Sequence, residues 1–141
     1  MFLRFLPLSL FLCLFVGCGS PGPQVTGKVT FTDGSPLTVG EVFFDNGQIL
    51  ARARIKPDGT FSLGMTKDGE GVPVGSYKVS IFGALDFTNN PRFGDGVIDE
   101  KYTNTSTSGL TYEVKSDQKN VFDIVVEPSA YYINLQKAST R

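Results

Sequence analysis

The chain contains no histidine and no tryptophan, and only two cysteines and two methionines. Without histidine, Ser-His-Asp and Cys-His nucleophile pairs and histidine-ligated zinc are excluded, and most familiar hydrolase chemistry goes with them. No sign of charge dominates. Thirteen lysines and arginines stand against 14 aspartates and glutamates, a net charge of −1. That leaves no basic excess to neutralise a phosphate backbone, so nucleic acid is not an expected partner. The longest apolar run, residues 5–16 with Pro7 and Ser9 inside it, is about 12 residues, well short of the roughly 20 that a membrane-spanning helix needs. What the chain does have is turns: 16 glycines and 8 prolines in 141 residues. That share stays below the range of low-complexity disorder and fits one packed, turn-rich domain.

Residues 1–17 carry one early positive charge, Arg4, ahead of that apolar run, the layout of an export signal that is cleaved. Cys13 lies inside the run and leaves with it, so Cys18 has no intramolecular partner. An unmodified Cys18 in a secreted domain would be a spare thiol open to oxidation. The segment Phe15-Val16-Gly17-Cys18 resembles the bacterial lipobox, with Phe15 where that motif usually carries leucine. The resemblance implies that Cys18 is acylated and becomes the mature N-terminus. A buried methylene contributes about 0.8 kcal/mol and stable anchoring takes more than one chain, a condition that the three chains of such lipoproteins meet. Gly19, in the place where aspartate retains lipoproteins at the inner membrane, implies the outer membrane. The alternative is a plain secreted protein. Residues 18–23 then form a lipidated cysteine and a Pro/Gly tether, and a folded domain is expected over 24–127.

Within 24–127 the segments between turn signals are short and rich in β-branched and aromatic residues. Val25, Gly27, Val29 and Phe31 alternate with Thr26, Lys28, Thr30 and Thr32, the period of a half-buried strand. Residues 39–45 and 48–55 read as two strands around Asn46-Gly47, a strong hairpin signal. Further strands are expected at 60–63, 76–83, 110–115 and 120–127. The stretch 84–109 lacks sustained periodicity and reads as a crossover loop, with a helical turn near Asp99 to Tyr102. From Pro128 the pattern decays, and 128–141 is expected as a loosely held tail in which Tyr131, Tyr132, Ile133 and Leu135 could cap the domain. Seven strands at this spacing suggest an all-β sandwich.

The runs Gly27-Lys28-Val29-Thr30-Phe31, Gly34-Ser35-Pro36-Leu37, Val42-Phe43-Phe44, Asp58-Gly59-Thr60-Phe61-Ser62-Leu63 and Gly71-Val72-Pro73-Val74-Gly75-Ser76-Tyr77-Lys78-Val79 occur in this order. Together with Ile98-Asp99-Glu100-Lys101-Tyr102 and Ser108-Gly109-Leu110-Thr111-Tyr112-Glu113-Val114, they resemble carboxypeptidase regulatory-like, transthyretin-like domains, in particular small lipoproteins of planctomycete bacteria. The resemblance spans about Val25 to Glu127. It implies a seven-stranded antiparallel Greek-key sandwich and a module without a reaction of its own, since such domains host no single activity. Physics accounts for the motifs without chemistry: Asp58-Gly59 makes a turn, Phe61 buries apolar area, and Tyr77 is expected to put its ring in the core and its hydroxyl at the rim.

Candidate sites are few. Oxygen ligands in the crossover, Asp86, Asn89, Asp95 and Asp99 with Asn90 and Glu100 nearby, suit calcium by type, but the EF-hand spacing is absent, Gly94-Asp95-Gly96 is a turn sequence in its own right, and a solvated loop is the preferred reading. Asp33, Asp58, Asp68 and Glu70 sit in turns or a polar loop and show no spacing for a glycosidase pair. Ser106 and Ser108 lie in a hydroxyl-rich loop with no base assigned beside them. Arg52, Arg54 and Lys56 alternate along one strand and would suit an acidic polymer or a solvated face. Phe43, Phe82, Phe87 and Phe93 would serve as sugar-stacking rings or as anchors for core and loops. The expectation is a non-catalytic β-sandwich without a cofactor, held to the membrane through Cys18, whose partners are an envelope protein or polysaccharide. The alternative is a carbohydrate- or calcium-dependent binding domain that uses the 84–109 crossover.

Overall fold

Period-two burial defines the strands. Val42 and Phe44, Ala51 and Ala53, and Tyr77, Val79 and Ile81 are buried, while their sequence neighbours largely face outward. The computed structural model describes residues 22–89 and 95–140. The strands are β1 (Val25–Phe31), β2 (Glu41–Asp45), β3 (Leu50–Arg54), β4 (Thr60–Ser62), β5 (Gly75–Phe82), β6 (Leu110–Val114), β7 (Asn120–Val121) and β8 (Ile124–Val126), followed by a helix α1 (Ala130–Ser139). They form two four-stranded sheets. One runs β3-β2-β5-β6, antiparallel throughout. In the other, β1 is flanked by β4 on one side and by β7 and β8 on the other.

The described strands number eight, and they are not all antiparallel: β7 and β8 run parallel to β1. Both departures from the seven-stranded antiparallel expectation lie in residues 120–127. There the backbone ladder breaks, because the Asp123 carboxylate accepts the Lys28 N–H at 3.0 Å. Phe122 stacks on Tyr112 with ring centroids 4.8 Å apart. The register survives the break, with Val25 opposite Asn120 and Val29 opposite Ile124. The parallel direction is compatible with the connectivity, since β7 and β8 are reached from β6 in the other sheet and not through a hairpin from β1.

The two sheets meet over Phe44, whose ring has Phe61, Tyr77, Tyr112 and Phe122 within 6.1–6.4 Å. Within the β1 sheet, Gly27 allows a close approach of the neighbouring backbone: a Cβ there would lie 2.0 Å from the Phe122 carbonyl oxygen and 2.7 Å from the Phe61 ring. The Asn46-Gly47 hairpin forms with a four-residue loop, closed by the pair Asp45 and Leu50. The Asn46 side chain accepts the N–H groups of Gln48 and Ile49 at 3.0 and 2.8 Å, which holds the wider turn.

Two segments carry more structure than their sequence pattern suggests. The crossover buries Ala84, Val97, Ile98 and Tyr102 and contains 3₁₀ turns at Phe87–Asn89 and Glu100–Thr103. The expected loose tail is a helix over Ala130–Ser139. Ser129 caps it, its hydroxyl accepting the Tyr132 N–H at 3.0 Å, and Tyr132 stacks on Phe31 at 5.3 Å.

Candidate functional site

The sandwich has two distinct ends. At one, Pro23 brings the chain to β1, its carbonyl accepting the Val72 N–H at 3.1 Å, close to the starts of β5 and β7. At the other, β1 leaves at Phe31, β5 leaves toward the crossover, and β8 leaves toward α1. Here a groove of about 570 Å³ opens between the 33–39 turn, residues 85–88 and α1. Leu37 and Val97 are buried beside it, Phe31 and Tyr132 form one wall, and Asp33, Asp86 and Gln136 bring polar groups to it. Its turns are self-sufficient. Asp33 accepts the Ser35 N–H at 2.9 Å and the Ser35 hydroxyl at 2.5 Å, and Asp86 does the same with Thr88 at 2.9 and 2.5 Å.

The crossover acids separate by role. Asp86 and Asp95 come to one corner, next to Tyr131, whose phenol is pushed above its ordinary pKa by partial desolvation and by those two negative charges. Asp99 caps the Glu100–Thr103 turn, accepting the Lys101 N–H at 2.9 Å. Asn89 ends the first 3₁₀ turn, while Asn90 and Phe93 lie outside the described residues, as does Cys18. Among the described residues no three Asp, Glu, His or Cys side chains are grouped to hold a metal ion. Beside Asp99, Lys101 pairs with Glu127 and lies 5.0 Å from the Tyr102 ring centroid. Its pKa is raised, first by the hydrogen bond to Glu127.

Other sequence candidates have structural employment. Glu70 accepts the Thr66 N–H at 2.9 Å inside its own loop. Ser108 is buried and donates to the Val79 carbonyl at 2.5 Å, tying the end of the crossover to β5. Asn120, missed by the sequence reading, is buried and closes the 115–120 turn through both its amide nitrogen and its oxygen. An isolated asparagine after a polar run carries no signal that separates it from a solvated one. Arg52 and Arg54 are exposed on β3 beside Lys67, around a hollow of about 170 Å³. Phe43 and Phe82 meet edge to face at 6.4 Å on the outer side of the same sheet.

No family model matches the chain, and no curated protein matches it. Among solved structures it is similar to the Bacillus anthracis TIE protein, at 16% identity and a TM-score of 0.50, over 75% of this chain and 16% of that one. It also aligns with a DUF3823 family protein from Bacteroides ovatus at 19% identity and a TM-score of 0.44, over 77% of this chain and 45% of that one. A 9R-lipoxygenase from Cyanothece aligns at 16% identity and a TM-score of 0.35, over 74% of this chain and 16% of that one. The chain thus spans less than half the length of each. At such identities the first likeness shows a shared sandwich-like fold and nothing about activity.

Proposed function

We propose that the protein is an exported module held to the cell envelope through a lipidated Cys18, whose sandwich binds or braces an envelope partner without catalysing a reaction. Gly19 makes the outer membrane the favoured site. The reading includes a transthyretin-like, carboxypeptidase regulatory-like family, which rests on the ordered motifs of the sequence.

The carrying observation is where the chain enters the domain. Gly22 packs so closely that a Cβ would lie 2.0 Å from the Val72 carbonyl oxygen. Only residues 19–21 then separate Cys18 from packed structure, so an anchor there holds the 71–75 end next to the lipid. The groove beside Phe31 lies at the far end of β1, about 23 Å away at 3.3 Å per residue, and faces outward from the bilayer.

Fractionation tests the anchor. Wild-type protein is expected in the membrane pellet after a carbonate wash, with an intact mass above that of the unmodified mature chain by the mass of its acyl groups. Cys18→Ser is expected in the supernatant. A variant retained in the pellet as fully as wild type would overturn the reading.

A further inference from the structure

The outer face of the β3-β2-β5-β6 sheet lies away from the groove and is built from side chains that the sequence spaces far apart. Register sets its rungs. Arg54 stands opposite Glu41, which stands opposite Phe82; Arg52 stands opposite Phe43, which stands opposite Ser80; Leu50 stands opposite Asp45, which stands opposite Lys78. Neighbouring strands are about 4.8 Å apart, so a basic pair and an aromatic pair share one platform.

The aromatic half is open. Phe82 is 65% exposed and Leu50 56% exposed, although burying a side chain of that size stabilises a fold by about 1.5–3 kcal/mol. Phe82 is not isolated: its ring meets Phe43 edge to face and both line one groove with Leu50, and a contiguous exposed apolar patch rimmed by polar residues is the kind of surface that marks an interaction site. The 103–105 turn rises beside it, and with Asp45 and Ser80 it walls a shallow groove of about 290 Å³. The basic half is the hollow of about 170 Å³ lined by Arg52, Arg54 and Lys67 against Glu41 and Asp68. The ion pair there, Arg52 with Glu41 at 4.0 Å, is long and solvent-exposed, and such pairs are worth little. Lys67 has the Glu70 carboxylate beside it, on the N–H of Thr66, whereas Arg52 and Arg54 stand exposed on β3 with Glu41 as the acid opposite them.

Ligand chemistry follows from what the platform offers. β2 and β5 are each hydrogen-bonded on both sides, so their backbone has no free edge for an added peptide strand, and recognition over these two strands falls to side chains. Phe43 and Phe82 lie one and two strands from Arg52 and Arg54, spacings of about 5–10 Å. A pyranose presents a flat C–H face to a phenyl ring and hydroxyls to Thr103 and Asn104 at the groove's rim. A uronate adds the carboxylate that arginine binds in a bidentate manner.

We propose that this face binds a uronate-containing polysaccharide, one sugar ring lying on Phe82 against the edge of Phe43 and the carboxylate of a neighbouring sugar held by Arg52 and Arg54. The site goes beyond the anchoring reading and does not depend on it. Its failure would leave the Cys18 result untouched.

The test is affinity electrophoresis of the full chain in detergent through gels containing polygalacturonate, with amylose and a single-stranded oligonucleotide as comparators. Polygalacturonate is expected to retard the protein, less so as salt rises. Phe82→Leu and the Arg52→Gln/Arg54→Gln pair are each expected to weaken retardation about tenfold, the loss typical of a contact worth more than 1 kcal/mol. All three positions are exposed, and unchanged melting of each variant verifies the fold. Equal retardation by amylose, stronger retardation by the oligonucleotide, no retardation at all, or a Phe82→Leu variant that binds like wild type would each overturn the proposal.

Discussion

Tyr77 shows how a single side chain satisfies two demands. Its ring is buried against Phe44 at 6.1 Å, and its hydroxyl donates to the Pro73 carbonyl at 2.9 Å. Burial also raises its phenol pKa. The buried ring was legible in the alternation of residues 76–83 and the outward hydroxyl in the amphipathic character of tyrosine, whereas its acceptor, the Pro73 carbonyl, was not. Tyr77→Phe keeps the packing and strands one acceptor, so a loss of about 1 kcal/mol is expected in urea melts. A loss no larger than that of a surface substitution would mean that water takes the hydroxyl's place. Asp33 and Asp58 act differently. The hydroxyl and then the N–H of Ser35 hold the Asp33 carboxyl below its usual range, and Thr60 does the same for Asp58. A depressed carboxyl stabilises the fold above its unfolded-state pKa, and that contribution is lost as pH falls through the folded value. The Asp33→Asn/Asp58→Asn double variant should therefore melt with a flatter pH dependence than wild type between about pH 5 and pH 2. Superimposable curves would remove these turns from the acid response.

At the scale of elements, the six strands before the last were legible because each alternates against one core face. Val42 with Phe44, and Ala51 with Ala53, leave no other register that buries them. The last strand was legible as apolar, but its interruption was not. Whether Asp123 or its own backbone meets the Lys28 N–H depends on β1 lying alongside, which no local pattern records. The helix α1 was missed for a related reason. It buries no residue fully, so its apolar positions are too sparse to show a 3.6-residue period. Its hold on the domain is the Ser129 cap and the Tyr132 ring on Phe31. Tyr132→Ala is expected to lower stability by about 2 kcal/mol, between the worth of an aromatic pair and that of a fully buried ring. Ile133→Ala, on the exposed side, should cost no more than about 0.5 kcal/mol. Equal effects of the two would show that the helix does not rest on that stack.

For the molecule as a whole, the two ends and the outer face divide the work. The 71–75 end receives the chain that leads back to Cys18, the crossover and α1 shape the opposite end around a groove, and the β3-β2-β5-β6 sheet turns Phe82 and Arg54 to solvent. The candidate ligands of the crossover illustrate the limit of reading a site from residue types. The negative charges of Asp86 and Asp95 both act on Tyr131, whereas Asp99 is employed as a cap. Conversely, Arg52 and Phe43 drew notice as unrelated residues, and pairing of β3 with β2 makes them direct neighbours.

By itself the sequence determined that this is a β protein with its core on alternate residues, its turns at Asp-Gly and Asn-Gly, and no histidine chemistry, since these depend on local sterics and side-chain type. Only the tertiary structure decided that the last strand pairs parallel to the first, that α1 closes on Phe31, and that basic and aromatic side chains share one outer face. Those outcomes depend on contacts between segments up to about a hundred residues apart, where nothing in the neighbouring sequence can carry the information.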